Sequence, residues 1–252
     1  MKADQTSGNP NLIIGRNPVM EALKSGREIE KLLIAKDTEG SIRKIVGMAQ
    51  DKSLPYQYTE KTALDRIAGG RAHQGVIAYI SHYDYCDPED ILEVARQKGE
   101  EPFLIILDGI EDPHNLGAII RTADGAGAHG IIIPKRRAAG ITDVVAKASA
   151  GAVEYVPVAK VSNLAQTIDK LKEKGVWVGA CDMDGPAYDK ADLKGSLALV
   201  IGSEGQGISR LVKEKCDFSL SIPMAGRITS LNASNAAAIL MYEVRRQRKR
   251  DL

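Results

Sequence analysis

"LALVIGSEGQGIS", Leu197 to Ser209, is the stretch on which the reading of this chain turns. Leu197 to Ile201 form a candidate buried strand, and a glycine-rich turn then leads towards a helix. Junctions of this kind hold nucleotides when backbone N–H groups at a helix N-terminus attract phosphate. Here Glu204 stands between Gly202 and Gly205, and a carboxylate repels phosphate. The spacing G-x-x-G-x-G also departs from the dinucleotide pattern G-x-G-x-x-G. The ligand has to suit a glycine-lined pocket that carries a negative charge.

Outward from this junction, apolar runs and helical patterns alternate along the whole chain. The first section holds strand candidates "LIIG", "KLLIA", "PYQYT" and "GVIAYI", with helical stretches between them. In "NPVMEALKSG", Asn17 can cap a helix, Pro18 suits its first turn and Gly26 ends it. Residues 82–100 are acidic and break the rhythm, and they read as a linker with one or two helical turns. A second α/β section follows, with strand candidates at 103–107, 130–133, 153–158, 176–180, 197–201 and 218–222. Runs apolar on both faces, joined by helices, predict a mostly parallel sheet covered on both sides. The expected domains are 10–81 and 101–252.

The 252 residues are 44% hydrophobic and 27% charged, the composition of a globular chain, and the formal net charge is only +1. No overall basicity announces a nucleic-acid partner, but the charge is uneven: residues 1–80 are net basic, 81–98 net acidic, and Arg245 to Arg250 reads "RRQRKR". Cys86, Cys181 and Cys216 lack C-x-x-C spacing, which argues against a disulfide framework or structural zinc site. The absence of a signal-peptide pattern or spanning apolar run makes a cytoplasmic protein, free of the membrane, the expectation.

Two further stretches can carry chemistry. "LDGIEDPHNLGAIIRTADGAGAHGIII", Leu107 to Ile133, ends a strand in Asp108 and begins a helix near Asn115, with Arg121 six residues on. Loops at the C-terminal ends of parallel strands are where such sheets place ligands. The plainer reading makes Asn115 a helix cap and Arg121 a solvated residue. His114 forms no ligand pattern with His73, His82 or His129, so no metal is expected. "IPMAGRITSLNASNAAAILMYEVRRQRKR", Ile222 to Arg250, runs from a strand through Thr229, Ser230 and Asn232 into an alanine-rich helix. Its basic end suits the helix dipole.

Taken in order, these three stretches resemble the signature motifs of the SpoU/TrmH family of RNA ribose 2′-O-methyltransferases, within the SPOUT superfamily. "KASAGAVEYVPV" (Lys147 to Val158) also looks like the family, and the resemblance runs from Pro102 to the end. The first section is similar to the family's L30/L7Ae-like substrate-binding domain, most clearly in "GGRAHQGVIAYIS". The two-domain plan is most similar to bacterial 23S rRNA guanosine-2′-O-methyltransferases. The resemblance implies a trefoil-knotted catalytic domain and a homodimer.

It further implies S-adenosylmethionine as methyl donor, which carries no phosphate, so Glu204 is tolerable beside it. Gly202, Ile222 and Leu231 would line its pocket. Arg121 would be the catalytic base or activator, with Asn115, Glu204, Ser230 and Asn232 supporting the site. Because a guanidinium stays protonated in nearly every protein setting, a phosphate clamp that stabilises the alkoxide is the physically preferred role. RNA contacts are expected at Arg71, Lys135, Arg136, Arg137 and the basic tail. Eleven aromatic residues do not indicate extensive base stacking. Against this reading stand a transfer RNA substrate, a catalytically silent RNA-binding or assembly protein, and a nicotinamide-dependent oxidoreductase. The last is disfavoured by the glycine spacing and by Glu204. Ala233 and Asn235 depart from the family pattern, and Asn235 is expected beside the site, where it would affect substrate fit.

Overall fold

The computed structural model describes residues 12–25, 29–36, 40–80, 83–227 and 229–248. Gly26, His82, Lys249 and Arg250 lie outside these residues. The chain divides into two compact units, Met1–Asp84 and Tyr85–Leu252.

The first unit contains β1 (Leu12–Ile14), α1 (Arg16–Ser25), β2 (Ile29–Ala35), α2 (Ser41–Asp51), β3 (Tyr56–Thr59), α3 (Lys61–Ala68) and β4 (Val76–Ile80). Its sheet order is β1-β4-β2-β3, antiparallel except for the β2–β3 pair. Strand side chains alternate between faces. Leu32, Ile34, Val76 and Ala78 therefore meet α1 and α2, while Leu33, Ala35 and Ile77 meet Leu64 and Ala68 of α3. Helix α1 begins at Arg16, so Asn17 lies inside its first turn instead of capping it.

The second unit contains α4 (Pro88–Lys98), β5 (Phe103–Asp108), α5 (Pro113–Ala126), β6 (Gly130–Pro134), α6 (Asp143–Ala148), β7 (Val158–Val161) and α7 (Leu164–Glu173). It continues with β8 (Trp177–Cys181), β9 (Leu197–Gly202), α8 (Arg210–Lys215), β10 (Phe218–Leu220) and α9 (Ala233–Arg248). All six strands are parallel, in the order β10-β8-β9-β5-β6-β7. One face buries Leu104, Ile106, Ile132, Val178 and Val200 against Ile91 of α4, Ile168 and Leu171 of α7 and Val212 of α8. Helices α5 and α9 pack on each other, with α5 also touching β6 and α9 touching β9. The parallel sheet expected from the double-sided apolar runs is present, and each fully buried Leu or Ile in it contributes about 1.5–3 kcal/mol.

Two local expectations differ. Residues 82–100 read as a linker, yet α4 is a full helix with a capping box between Asp87 and Asp90, and its Ile91 and Ala95 are buried. Only this i, i+4 pair is fully buried, with Leu92 packed partly against the core, so the exposed acidic face dominates the composition. The strand expected at 153–158 begins instead at Val158, because Ala150 and Gly151 take positive φ and start a 3-10 turn over 152–154. Val153 and Val156 are buried, and a short apolar run does not separate a buried turn from a strand.

Candidate active site

In the sheet order, the direction in which successive strands are laid down reverses between β5 and β9, the place where open parallel sheets bind ligands at the carboxyl ends of their strands. Asp108 and Gly202 are register partners at that edge. The Asp108 Oδ2 atom accepts the Ser209 N–H at 2.7 Å, which ties the end of β5 to the far side of the glycine loop.

The loop closes on itself: Ser203 and Gly207 exchange both backbone hydrogen bonds, at 3.1 and 2.9 Å. A Cβ on Gly202 would lie 2.2 Å from the Gly207 carbonyl carbon, so only glycine permits this closure. Gly205 and Gly207 supply the positive φ of the turn, at 85° and 67°. The turn lifts Glu204 towards the start of α9.

There Glu204 Oε1 accepts from Asn115 Nδ2 at 2.9 Å, from Asn232 Nδ2 at 2.6 Å and from the Ala233 N–H at 3.3 Å. Asn232 Nδ2 also donates to Asn115 Oδ1 at 3.0 Å. The Asn232 Oδ1 atom caps α9 by accepting the Ser234 N–H at 3.0 Å. A carboxylate beside a helix N-terminus is favoured by the unpaired N–H groups and the dipole. Glu204 is thus repelled by phosphate but held by α9. Asn115 is free for this contact because Asp112, and not Asn115, caps α5 through the His114 N–H at 2.9 Å.

Two cavities flank the loop and share Ser203, Glu204, Gln206, Gly207 and Ala233 as a common wall. One, of about 480 Å³, is a polar cleft lined by Asp108, Glu111, Asp112, Asn115, Arg137 and Asn232 among others. The other, of about 380 Å³, has apolar walls including Ile201, Leu220, Ile222, Leu231 and Leu240. Gly202, Ile222, Leu231 and Ser230 line the apolar cavity.

Arg121 lines neither cavity, is exposed on α5, and makes no hydrogen bond or ion pair among the described residues. Arg137 reaches the cleft in a loop held by the Ala139 N–H on Ile110 O at 2.8 Å, whereas Lys135 and Arg136 are exposed outside both cavities. In the first unit, Arg71 is exposed and its Nε donates to Ala68 O at 3.0 Å. Of the basic tail, Arg246 pairs with Glu243, and Arg248 donates to Glu101 O, Pro102 O and Gly195 O. Arg248 thus anchors α9 to the segments around residues 101 and 195, and Arg246 is paired within the helix.

Sequence reasoning passed over Cys181, Asp182 and Met183, which follow β8 into the apolar cavity. Their signal was the rule already applied to β5 and β9, that ligands gather at the carboxyl ends of parallel strands. Burial pushes the Cys181 thiol far above its ordinary pKa, so it is a neutral wall and no thiolate nucleophile. The hydrogen bond from Lys213 holds the Asp182 carboxyl below its usual range. Among the described residues no group of three or more His, Cys, Asp or Glu side chains is placed to hold a metal ion. Nor is any helix among them long and apolar enough to cross a membrane.

The cleft, the closed glycine loop and the α9 cap lie within residues 102–242, which match the family described as "SpoU rRNA Methylase family". This chain belongs to the SpoU family. Residues 12–86 match a second family, "RNA 2'-O ribose methyltransferase substrate binding". The SpoU chain is 52% identical over 239 residues to YacO of Bacillus subtilis (strain 168), whose name places it in the TrmH family of tRNA/rRNA methyltransferases, with 94% of this chain and 95% of that one covered. It is similar in structure to the SpoU methyltransferase AviRb of Streptomyces viridochromogenes in complex with AdoMet, at TM-score 0.59 and 27% identity over 94% of this chain and 90% of that one. It is also similar to the A. aeolicus TrmH/SpoU tRNA modifying enzyme, at TM-score 0.56 and 29% identity, but over 65% of this chain and 85% of that one.

Proposed function

We propose that this SpoU-family chain transfers a methyl group from S-adenosylmethionine to a ribose 2′-hydroxyl of RNA, with a guanosine of 23S rRNA as target. The observation that carries the reading is the single loop, Ser203–Gly207, shared by an apolar cavity and a polar cleft. A donor in the first and a ribose in the second would meet across Glu204. S-adenosylmethionine, as AviRb holds it, offers an electrophilic methyl on a cationic sulfur and no phosphate. Gly202, Ile222 and Leu231 would hold it, largely through main-chain groups.

The protein's own part is positioning, which can supply much of the rate. Asn115, Glu204 and Asn232 lock the loop to α9, and Ser230 stands beside them at the apolar cavity. Arg121 holds an RNA phosphate through its guanidinium and stabilises the alkoxide that develops at the 2′-oxygen. Its exposed place outside both cavities fits a homodimer in which a second copy completes the site. Arg71, Lys135, Arg136 and Arg137 would contact phosphate, and binding should weaken steeply with salt. The trefoil knot belongs to the same reading: β9 is inserted between β8 and β5, and the segment after β10 crosses the glycine loop at Asn232.

Ribosomal RNA is preferred because the tRNA modifying enzyme matches a share of the chain close to that of the second unit alone, while the rRNA methyltransferase of Sinorhizobium meliloti matches 93% of it, at TM-score 0.54 and 26% identity. Transfer RNA is the second reading, since the name of the Bacillus relative gives both tRNA and rRNA. The test is incubation with methyl-labelled S-adenosylmethionine and unmodified rRNA or tRNA, with Arg121→Ala as control. Label in a guanosine of rRNA, lost in the variant, is expected. Label in tRNA alone would move the target, and cofactor binding without label in either would favour an assembled particle or a silent binder. Absence of cofactor binding would overturn the reading. An Arg121→Lys pH–rate profile separates a clamp, which lowers the plateau, from a base, which displaces the ionisation.

A further inference from the structure

Among the described residues, only two side chains lining the apolar cavity are charged, and both are acidic: Asp182 and Glu204. Glu204 is committed to Asn115, Asn232 and the Ala233 N–H. Asp182 is fixed by its backbone, which donates to Leu220 O at 2.9 Å, while its Oδ1 accepts the Asp184 N–H at 3.3 Å. Its Oδ2 lies 2.8 Å from Lys213 Nζ, with the aspartate side chain 20% and the lysine 36% exposed. Lys213 also lies 3.7 Å from Asp184 and is not part of the cavity wall. Asp182 therefore belongs to the cavity wall, and its counter-cation Lys213 does not.

We infer that the Asp182–Lys213 pair sets the preference of this cavity for a cationic methyl donor over its neutral product, an inference that rests on the cofactor reading above. In the transfer, the sulfonium–methyl bond breaks, an oxygen–methyl bond forms, the sulfur keeps the electron pair as a thioether, and the hydroxyl proton is released. The positive charge thus leaves the cavity with the chemistry. A carboxylate in the wall attracts the donor and has no such attraction for S-adenosylhomocysteine, which lowers product retention. Lys213 tempers this attraction by sharing the carboxylate.

The test is calorimetric titration of the full chain with S-adenosylmethionine, S-adenosylhomocysteine and sinefungin, a cationic amine analogue. The variants are Asp182→Asn and Lys213→Gln. Asp182→Asn should lower the ratio of donor to product affinity by about fivefold, the scale of one partly exposed charge pair. Lys213→Gln should raise that ratio, and sinefungin should follow the donor in both. If the pair only ties residues 182–184 to α8, both variants break the same tie and weaken every ligand alike; unchanged ratios overturn the inference. Should Asp182→Asn lose all binding, the Lys213→Gln ratio decides, and a value at or below wild type overturns it. Wild-type protein that binds neither donor nor product would instead refute the cofactor reading.

Discussion

Asn232 Nδ2 lies 2.6 Å from Glu204 Oε1 and 3.0 Å from Asn115 Oδ1, so one amide joins the ends of α5, the glycine loop and α9. Glu204→Gln keeps an acceptor oxygen but loses the charge that faces the α9 N-terminus. Hydrogen bonds to charged groups are the stronger ones, but this side chain is exposed. The expected loss is about 1 kcal/mol of stability, read in urea, with a larger fractional loss of methyl transfer.

Gly202→Ala should fold yet bind the cofactor poorly. The added methyl would meet the Gly207 and Ile208 backbone at 2.2 and 2.4 Å, and no flexible side chain is there to yield. Overpacking of this kind costs about 1–3 kcal/mol. Cofactor titration should show at least a tenfold loss, and unchanged affinity would contradict the closed loop.

His129 predicts a pH dependence of stability. It is buried, its Nδ1 accepts the Phe103 N–H at 3.0 Å, and its Nε2 lies 3.0 Å from Glu100 Oε2. Burial lowers its pKa below the ordinary value of 6.5, against the opposing hydrogen bond to Glu100. The unfolded chain therefore takes up the proton first. The contribution is full above about pH 6.5 and is lost as pH falls from there through the folded pKa. Urea midpoints from pH 8 to 5 should decline in the wild type and less steeply in His129→Gln.

Arg248 anchors the end of α9 by donating to Glu101 O at 2.7 Å, Pro102 O at 2.9 Å and Gly195 O at 2.7 Å. Its guanidinium also lies over the Phe103 ring at 5.2 Å. Arg248→Ala leaves three carbonyls without this donor and should cost about 2–3 kcal/mol. Arg248→Lys should fall between, because an ammonium lacks the planar fork. Thermal melts check both, and RNA affinity should change little if this arginine serves the fold.

Much of this was legible in the residues. Strands β5, β6, β8, β9 and β10 each contain or overlap an apolar run recognised in the sequence, and the three chemical stretches fall at the sheet's carboxyl edge or at the start of α9. Other features were not legible because their signal is a contact and not a pattern. The core face of α4 is Ile91 and Ala95, with Leu92 at its edge, within an acidic segment. Val153 and Val156 are as apolar as a strand but fold in a turn. Arg246 and Arg248 look like a solvated basic tail until Glu243 and the carbonyls of residues 101, 102 and 195 lie beside them.

By itself the sequence determined the alternation of strand and helix and the order of the signature stretches, since these depend on side-chain periodicity and on neighbours a few residues apart. Only the tertiary structure decided that Asn115, Glu204 and Asn232 form one cluster, that two cavities share one loop, and that Asp182 lines one of them. Those relations span 28 to 117 residues and depend on β9 lying between β8 and β5. That strand order is chosen by burial of both sheet faces at once, a property no local window of the chain contains.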